Sequence, residues 1–539
     1  MKNFILLLSL LFILSFQKSE AQLADKNMYL LKNLNQHYTA TQYSAVWGYR
    51  APNGREYAIL GCPTGTAFID ITNSADIHEV DFVTGPTSTW REMKTYSNYA
   101  YIVSEASNSG VQIVDLQYLP DSVSLVKKFV APNHSSTHSI SQLGPYLYLN
   151  GCNSSFVPNG GIVVFDLTAD PVTPIVRGKW TVNYVHDCRV VNDTLYAANI
   201  YDGKVSIINA TNKNLLTTIT SFVNLPGSGP HNTALSINGN RLFVTDEIGT
   251  APYKLKVWNI EDLSNITYVT SWQPTGITNS IVHNVEVYGN SALIAHYSAG
   301  VRMVNVTNPD TPAEVAWYDT YPLNNSSNYE GCWGVYMFPS GKIIASDRSS
   351  GLYVLKTTYN INVAMEGFYN SATNRMNKRD TVRAYLRQVF SPYNIIDSSS
   401  AVIDSVTFEG NFKFNNAPSG NYYIAVKHRN CIEVWSKAGG EAYDPMTLQG
   451  YDFTGSDTSA FGNNEVQVDA SPVKFALYSG DVNYDGLINL NDVISTYNDA
   501  AVFTTGYVNT DLTGDNIVNL NDVIINQNNL VNFIGVIFP

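Results

Sequence analysis

The chain has 539 residues, a net charge of −13, 14% charged residues, 35 Tyr and five Cys. That length exceeds what one hydrophobic core serves, so several domains are expected. The acidic balance excludes nucleic acid as a partner, since nucleic acid selects basic faces, and low charge with abundant Tyr suits a β-rich extracellular surface.

Residues 1–21 read as a secretory signal peptide. Lys2 supplies the positive start, Phe4 to Phe16 an apolar stretch, and Ser19-Glu20-Ala21 the small residues of a cleavage site. The apolar run falls short of the ~20 residues a membrane span needs, and no later segment approaches that length. The expected mature protein begins near Gln22 and is secreted, either free or attached to a cell surface, with no membrane span.

From there a short phrase recurs at Trp47 (WGYR), Arg91 (REMK), His138 (HSIS), His186 (HDCR), His231 (HNTA), His283 (HNVE) and Trp333 (WGVY), at spacings of 44 to 52 residues. A second phrase keeps the same beat, from AFIDI at 67 through VQIVDL at 111 to LYVLKT at 352. A period of about 40–50 residues with several short strands per unit is the signature of propeller blades. Seven units predict an all-β, seven-bladed β-propeller over residues 28–357; a long β-solenoid or two sandwiches are the alternatives. The sixth unit shows all four strands: HNVEVY, SALIAHY, VRMVNV and AEVAWYD. The seventh lacks a fourth strand, and MYLLKNLNQ at 28–36 is placed to supply it, closing the ring without free edges.

In an exported chain cysteines invite pairing. Cys62–Cys332 and Cys152–Cys188 fall in neighbouring units and are the expected disulfides, buried free thiols being the alternative; Cys431 is left over.

Residues 358–477 form a different unit. NINVAMEGFYN, DTVRAYLRQ, SVTFEGNFKF and GNYYIAVKHRNCIEVWS alternate apolar and polar residues at strand spacing. An immunoglobulin-like or transthyretin-like β-sandwich acting as a spacer is expected, with 451–465 as an exposed connection.

Residues 478–539 carry two copies of a twelve-residue loop, DVNYDGLINLND at 481–492 and DLTGDNIVNLND at 511–522. Oxygen donors at positions 1, 3, 5, 7, 9 and 12 suit Ca²⁺. The first loop supplies Asp481, Asn483, Asp485, the Leu487 carbonyl, Asn489 and Asp492, with Gly486 at the sharp turn. The second supplies Asp511, Thr513, Asp515, the Ile517 carbonyl, Asn519 and Asp522, with Asn516 at the turn, a residue type that tolerates positive φ. DVISTYNDA and DVIINQNNL are placed to start short helices. The duplicated loop-plus-helix resembles a type I dockerin domain. That family carries Asp at the last loop position and lacks the first EF-hand helix, as here. The resemblance implies two Ca²⁺ ions and, as partner, a cohesin-like or cell-surface protein. Leu490-Asn491 and Leu520-Asn521 stand at the recognition positions, where known cohesin binders carry a Ser-Thr type.

The openings of innermost strands and the ends of second strands lie on one face of a propeller. That mouth collects His138, His186, His231 and His283, with His296, Glu105, Asp246, Asp347 and Asn199 at strand ends. Arg91, Glu92, Asp187, Asn232 and Asn284 lie beside the openings. Five of nine His on one rim suit a transition metal or an acid/base site; a water-filled structural channel is the alternative.

Taken together, residues 28–357 resemble the exported LVIVD-repeat propellers, including the choice-of-anchor B family. The resemblance rests on the VQIVDL-like strands and the His-Asn and Trp-Gly openings. It implies secretion and a variable C-terminal anchoring module, but no reaction. The favoured reading is a secreted, non-catalytic binding or adhesion protein, its propeller recognising a saccharide or protein and its calcium-bound tail attaching it. The alternative is an extracellular metal-assisted hydrolase or lyase acting on polysaccharide. Histidines meeting within about 5 Å of one point favour the enzyme; dispersed ones favour the binder.

Overall fold

The computed structural model describes residues 24–37, 42–130, 134–225 and 228–539, so the expected signal peptide lies outside the described residues. The described residues are mostly β, with two α-helices among the last fifty. Between residues 25 and 357 antiparallel sheets built on four strands follow one another in chain order, with one two-stranded sheet, His134–Ser136 with Asn153–Ser154, beside the third. Sheet one, for example, orders Val46–Arg50, Glu56–Cys62, Gly65–Asp70 and His78–Thr84. The first strand of each sheet packs beside the first strand of the next, and Cys332–Met337 of the last sheet packs beside Val46–Arg50 of the first. The arrangement is propeller-like and closed.

Closure uses the chain's beginning, as the sequence predicts. Met28–Leu34 pairs antiparallel with Gly351–Thr357 and becomes the outer strand of the last sheet. Just before it, Asp25–Lys26 pairs with Ala313–Tyr318 of the preceding sheet, a contact the sequence did not announce. The N-terminal segment thus fastens two neighbouring sheets and covers edges that would otherwise stay unpaired.

Each gap between sheets holds its own apolar layer, and these layers explain why the cysteines do not pair. All five are free and buried. Cys62 packs with Tyr43, Val46, Ile344 and Leu352 between the first and last sheets. Cys332 faces the other side of the last sheet, with Leu293, Ala295 and Val301. Likewise Cys152 lies with Tyr101 and Val103, and Cys188 with Tyr148 and Val164, on opposite faces of the third sheet. A sheet therefore stands between the members of each expected pair, and no disulfide forms. Burial pushes the Cys62, Cys152 and Cys188 thiols up to about 12, which suppresses the reactive thiolate. A thiol reagent is expected to find five groups in the unfolded, unreduced chain and almost none in the native one. Fewer than five on unfolding would restore the disulfide assignment.

Residues 359–477 enclose a separate core between two sheets. The smaller orders Glu409–Phe412, Tyr359–Asn362 and Gln449–Asp452, the last pairing parallel. The larger contains Ile395–Ile403, Asp380–Gln388, Gly420–Lys427 and Val434–Trp435. Ile361 and Phe412 of the smaller meet Val382, Leu386, Ile424 and Val426 of the larger in one cluster. The expected exposed connection is partly interior: Phe453, Thr454, Asn464 and Glu465 are buried. Glu465 is 5% exposed, and neither carboxyl oxygen has a partner.

Burial, reinforced by Asp452 and Asp457, pushes Glu465 up to about 9 from 4.5. The fold holds the proton while the unfolded chain releases it. The advantage of the protonated form is fully present below pH 4.5 and is lost as pH rises toward 9. Glu465→Gln is therefore expected to leave stability unchanged at pH 4. At pH 7 to 8 it should raise stability, on the order of 1–3 kcal/mol. Denaturant unfolding at both pH values measures this; equal effects at both would show that Glu465 is not a buried proton holder.

The tail carries helices α1 (Leu490–Ala501) and α2 (Leu520–Val531), each begun by a capping box, Asn489 with Asp492 and Asn519 with Asp522. Both helices form, each starting two residues before the segment the sequence marks, at Leu490 rather than Asp492 and at Leu520 rather than Asp522. The tail is docked on the sandwich by buried and part-buried polar contacts. Asn529 donates to Glu366 at 2.6 Å, Tyr507 to Asp380 at 2.6 Å, and Asn430 to the Asp511 carbonyl at 2.9 Å. Arg429 bridges to Asp380 at 2.9 Å from the sandwich side. No helix among the described residues is long and apolar enough to cross a membrane.

Candidate functional site

At the centre of the ring the openings of four successive sheets bring His138, His186, His231 and His283 into one row. Their ring centroids follow at 4.0, 4.6 and 4.0 Å. Glu247, from the strand Arg241–Gly249, reaches over the row. Its carboxylate lies 3.8 Å from His186 Nε2, 3.6 Å from His231 Nε2 and 3.8 Å from His283 Nε2. His186, His231 and Glu247 each offer a ligand atom, all within 4.8 Å of one another. His138 Nε2 lies 3.1 Å from His186 Nε2.

The surrounding hydrogen bonds fix which nitrogens face this point. His283 Nδ1 donates to the Trp333 carbonyl, so its Nε2 carries a lone pair, and that atom has no partner. His138 Nδ1 faces Glu105 Oε1 at 2.6 Å, which directs its Nε2 inward in the same way. Tyr297 donates to Glu247 at 2.7 Å. Such outer contacts hold the ligand orientation of metal sites. Burial, and then the neighbouring imidazoles, hold His186 and His283 well below the usual imidazole value, and burial lowers His231. These three rings are neutral, the form that binds metal. Burial is the largest influence on His138 and acts to lower it, but its bond to Glu105 together with the charges of Glu105, Glu92 and Asp187 makes the net shift upward. Three or four imidazoles and one carboxylate match the donor chemistry of zinc-like transition metals.

The row separates two spaces. Above it opens a cavity of about 450 Å³, walled by Trp90, Tyr184, Tyr201, Tyr297, Tyr329, Trp333 and Arg348 along with Glu105 and Glu247. Beneath it a narrow pocket of about 20 Å³ takes in Arg91, Glu92 and Asp187. Arg91 is not at the mouth: its guanidinium is buried and donates to the carbonyls of Cys62 and Pro86. Burial raises Glu92, which Lys94 meets at 2.9 Å, and Asp187 accepts from Asn232 at 2.6 Å. These residues line the channel below the histidines.

Four expected residues stand elsewhere. Asn199 donates to the Tyr184 carbonyl at 2.7 Å and accepts from Ser206 at 2.6 Å. Asp246 turns away from the mouth, accepting from Asn224 and pairing with Lys256, each at 2.8 Å. His296 lies 3.0 Å from the Ser280 hydroxyl, where burial lowers it to about 3. Asp347 secures a turn by accepting from the backbone of Ser349 and Ser350 at 2.9 Å. The place expected for Asp246 belongs to Glu247, and that of His296 to Tyr297. Tyr297 has a φ of 25°, a strained backbone for a bulky residue. The aromatic wall was missed as well. Most of it comes from connecting segments that carry no periodicity.

In the tail, both loops repeat one hydrogen-bond scheme. Asp492 accepts from the backbone of Val482, Asn483 and Asn489 at 3.1, 3.3 and 3.0 Å. Asp522 accepts from Leu512, Thr513 and Asn519 at 2.8, 2.9 and 2.8 Å. Asp481 and Asp511 are buried, and each keeps one oxygen without a partner. Burial first, and Asp492 next, push Asp481 up to about 6; burial also raises Asp511. A cation facing those free oxygens fits the donor set. Asp485 and Asp515 meanwhile brace the backbone of Leu487 and Ile517. Thr513 donates to Asp522 at 3.1 Å. Asn489 and Asn519 use their side-chain oxygens as helix caps, accepting from Asn491 and Asn521. Asn516 takes the positive φ expected of it, 76°.

No family model and no curated protein matches this chain. Among solved structures it is similar to a putative 6-phosphogluconolactonase from Bacteroides fragilis, at 13% identity over 63% of this chain and 94% of that one, TM-score 0.44. A periplasmic gluconolactonase of Pseudomonas aeruginosa is 13% identical over 54% of this chain and 88% of that one, TM-score 0.42. A protein from Lactobacillus plantarum is 13% identical over 59% of this chain and 92% of that one, TM-score 0.42. Likenesses this distant say nothing about the chemistry of the cavity.

Proposed function

We propose that this chain is a secreted metal-dependent enzyme, a hydrolase or lyase acting on extracellular saccharide at the mouth of a seven-bladed β-propeller of the LVIVD-repeat, choice-of-anchor B kind. The observation that carries this reading is the meeting of His186, His231 and Glu247 within 4.8 Å, a convergence that favours an enzyme over a binding platform. Bound there, a transition metal would polarise a substrate oxygen or activate a water. His283 and His138 complete the nitrogen donors, Tyr297 holds Glu247, and the aromatic wall limits water access. The dockerin-like tail binds two Ca²⁺ ions and attaches the enzyme to a cohesin-like or cell-surface partner. A non-catalytic adhesion protein is the second reading, favoured by the exposure of Trp90, Tyr201 and Tyr329 around the mouth.

Elemental analysis of the chelator-stripped and reloaded protein tests the reading. One equivalent of transition metal is expected in the wild type and none after joint replacement of His186, His231 and His283 by Ala. Metal content unaffected by those substitutions would leave a structural channel and the adhesion reading.

A further inference from the structure

The cavity above the histidines continues sideways. A second cavity of about 500 Å³ shares Glu105, Tyr184 and Tyr201 with it. The two tyrosine rings stand 4.9 Å apart where the cavities join. Tyr184 is fixed from behind by two glycines. A Cβ on Gly160 would come within 2.5 Å of its ring, and one on Gly151 within 3.0 Å of its hydroxyl. Both glycines also have positive φ, so no side chain enters that space cheaply. Tyr201, on the short turn Ile200–Asp202, is 72% exposed. An aromatic shelf held rigidly on one side and open on the other suits a ligand with flat apolar faces. The second cavity adds Ser136, Asn153 and Asn159 as partners for hydroxyls.

On the opposite wall of the first cavity Arg348 stacks on Trp333, 4.8 Å from the ring centroid. Its Nη2 donates to Gln42 Oε1, but among the described residues no carboxylate pairs with it, and its Nε is buried without a partner. A guanidinium that lines a cavity with no counter-charge and only one terminal nitrogen engaged is matched to an anionic, planar group.

We propose that the two cavities form one cleft for an acidic oligosaccharide, with an anionic sugar against Arg348 and the chain crossing the Tyr184–Tyr201 shelf into the second cavity. This rests on the saccharide reading of the mouth and adds the substrate's charge and its direction. The metal-loaded full chain is titrated calorimetrically with tetragalacturonate, tetramannuronate and a chondroitin sulfate tetrasaccharide, each beside its carboxyl-reduced form. At least one native acid is expected to bind about tenfold more tightly than its reduced form. If the chondroitin sulfate form alone keeps its affinity after carboxyl reduction, the anionic group is a sulfate. Arg348→Gln is expected to erase the acidic preference with metal content unchanged. Tyr201→Ala, on an exposed side chain, should weaken a tetrasaccharide roughly three- to tenfold while leaving the monosaccharide unaffected. No binding by any acid, equal binding of acidic and neutral forms throughout, or an acidic preference that survives Arg348→Gln overturns the proposal. An acidic preference in a protein that takes up no transition metal on reloading instead overturns the metalloenzyme reading alone.

Discussion

Glu247→Gln is expected to abolish stoichiometric metal binding, whereas Asp246→Asn, one residue away, should leave metal content at the wild-type level. The two carboxylates belong to the same strand, Arg241–Gly249, but their surroundings differ. Glu247 stands within 3.8 Å of three imidazoles. Removing its charge takes away the only carboxylate of the donor group, and a weakening of at least about 100-fold follows, beyond the 10- to 100-fold cost of an outer partner. Tyr297→Phe removes such an outer partner and should weaken the metal by about that smaller factor. Asp246 faces Lys256, which is 3% exposed. Asp246→Asn therefore strips a buried ammonium of its counter-charge, and stability should fall on the order of 3 kcal/mol. Elemental analysis and denaturant unfolding of both variants separate the roles. Metal retained by Glu247→Gln would remove Glu247 from the ligand set. Metal lost equally from both would trace the loss to unfolding.

This pair also marks how far the sequence could be read. The recurring openings are spaced by the sheets themselves, so the four histidines that form the row could be placed in advance. What periodicity could not give is the face on which a strand's last residues emerge. Side chains alternate along a strand, and one extra residue exchanges the faces. In the fifth sheet the pairing shifts register at Gly229/Pro230 and again at Pro230/Thr233. These irregularities move Glu247, rather than Asp246, to the mouth. The kink at Tyr297 does the same at the expense of His296. The cysteine pairs failed for a related reason: spacing identifies neighbouring sheets but not which surface of a sheet each thiol occupies. Tyr184 and Tyr329 lie outside the strands altogether, where turn chemistry leaves no pattern to follow. In the tail the reverse holds. Ligand chemistry, turn residues and helix caps are all local, so both loops and both helices could be located from a few residues each.

Calcium is expected to stabilise the tail, with the first loop contributing more than the second. Each loop gathers three carboxylates, Asp481, Asp485 and Asp492 in one and Asp511, Asp515 and Asp522 in the other. Asp481 and Asp511 hold a buried oxygen that no protein donor meets, so without a cation the loops pay for like charges and for lost hydration together. Binding to the folded form alone stabilises it by RT ln(1 + [L]/Kd), about 2.7 kcal/mol at a hundredfold excess over Kd. Asp481→Ala and Asp511→Ala should each remove one site. The first loop is the better binder because Asn483 is a stronger ligand than Thr513 and Gly486 turns without strain. The Arg429 guanidinium adds a second reason: it lies 3.9 Å from Asp511 Oδ2, placing positive charge beside the second ion. Arg429 also joins Asp380, which Tyr507 contacts from the tail. By the same coupling, calcium at the second loop is expected to loosen Arg429's hold on Asp511, read as faster amide exchange at Tyr507 and Asp511. Calorimetry and unfolding of the full chain with calcium and with EGTA measure the effect. Two sites in the wild type and one in each variant are expected; no calcium-dependent heat and an unfolding curve unchanged by EGTA would rule out the dockerin-like reading.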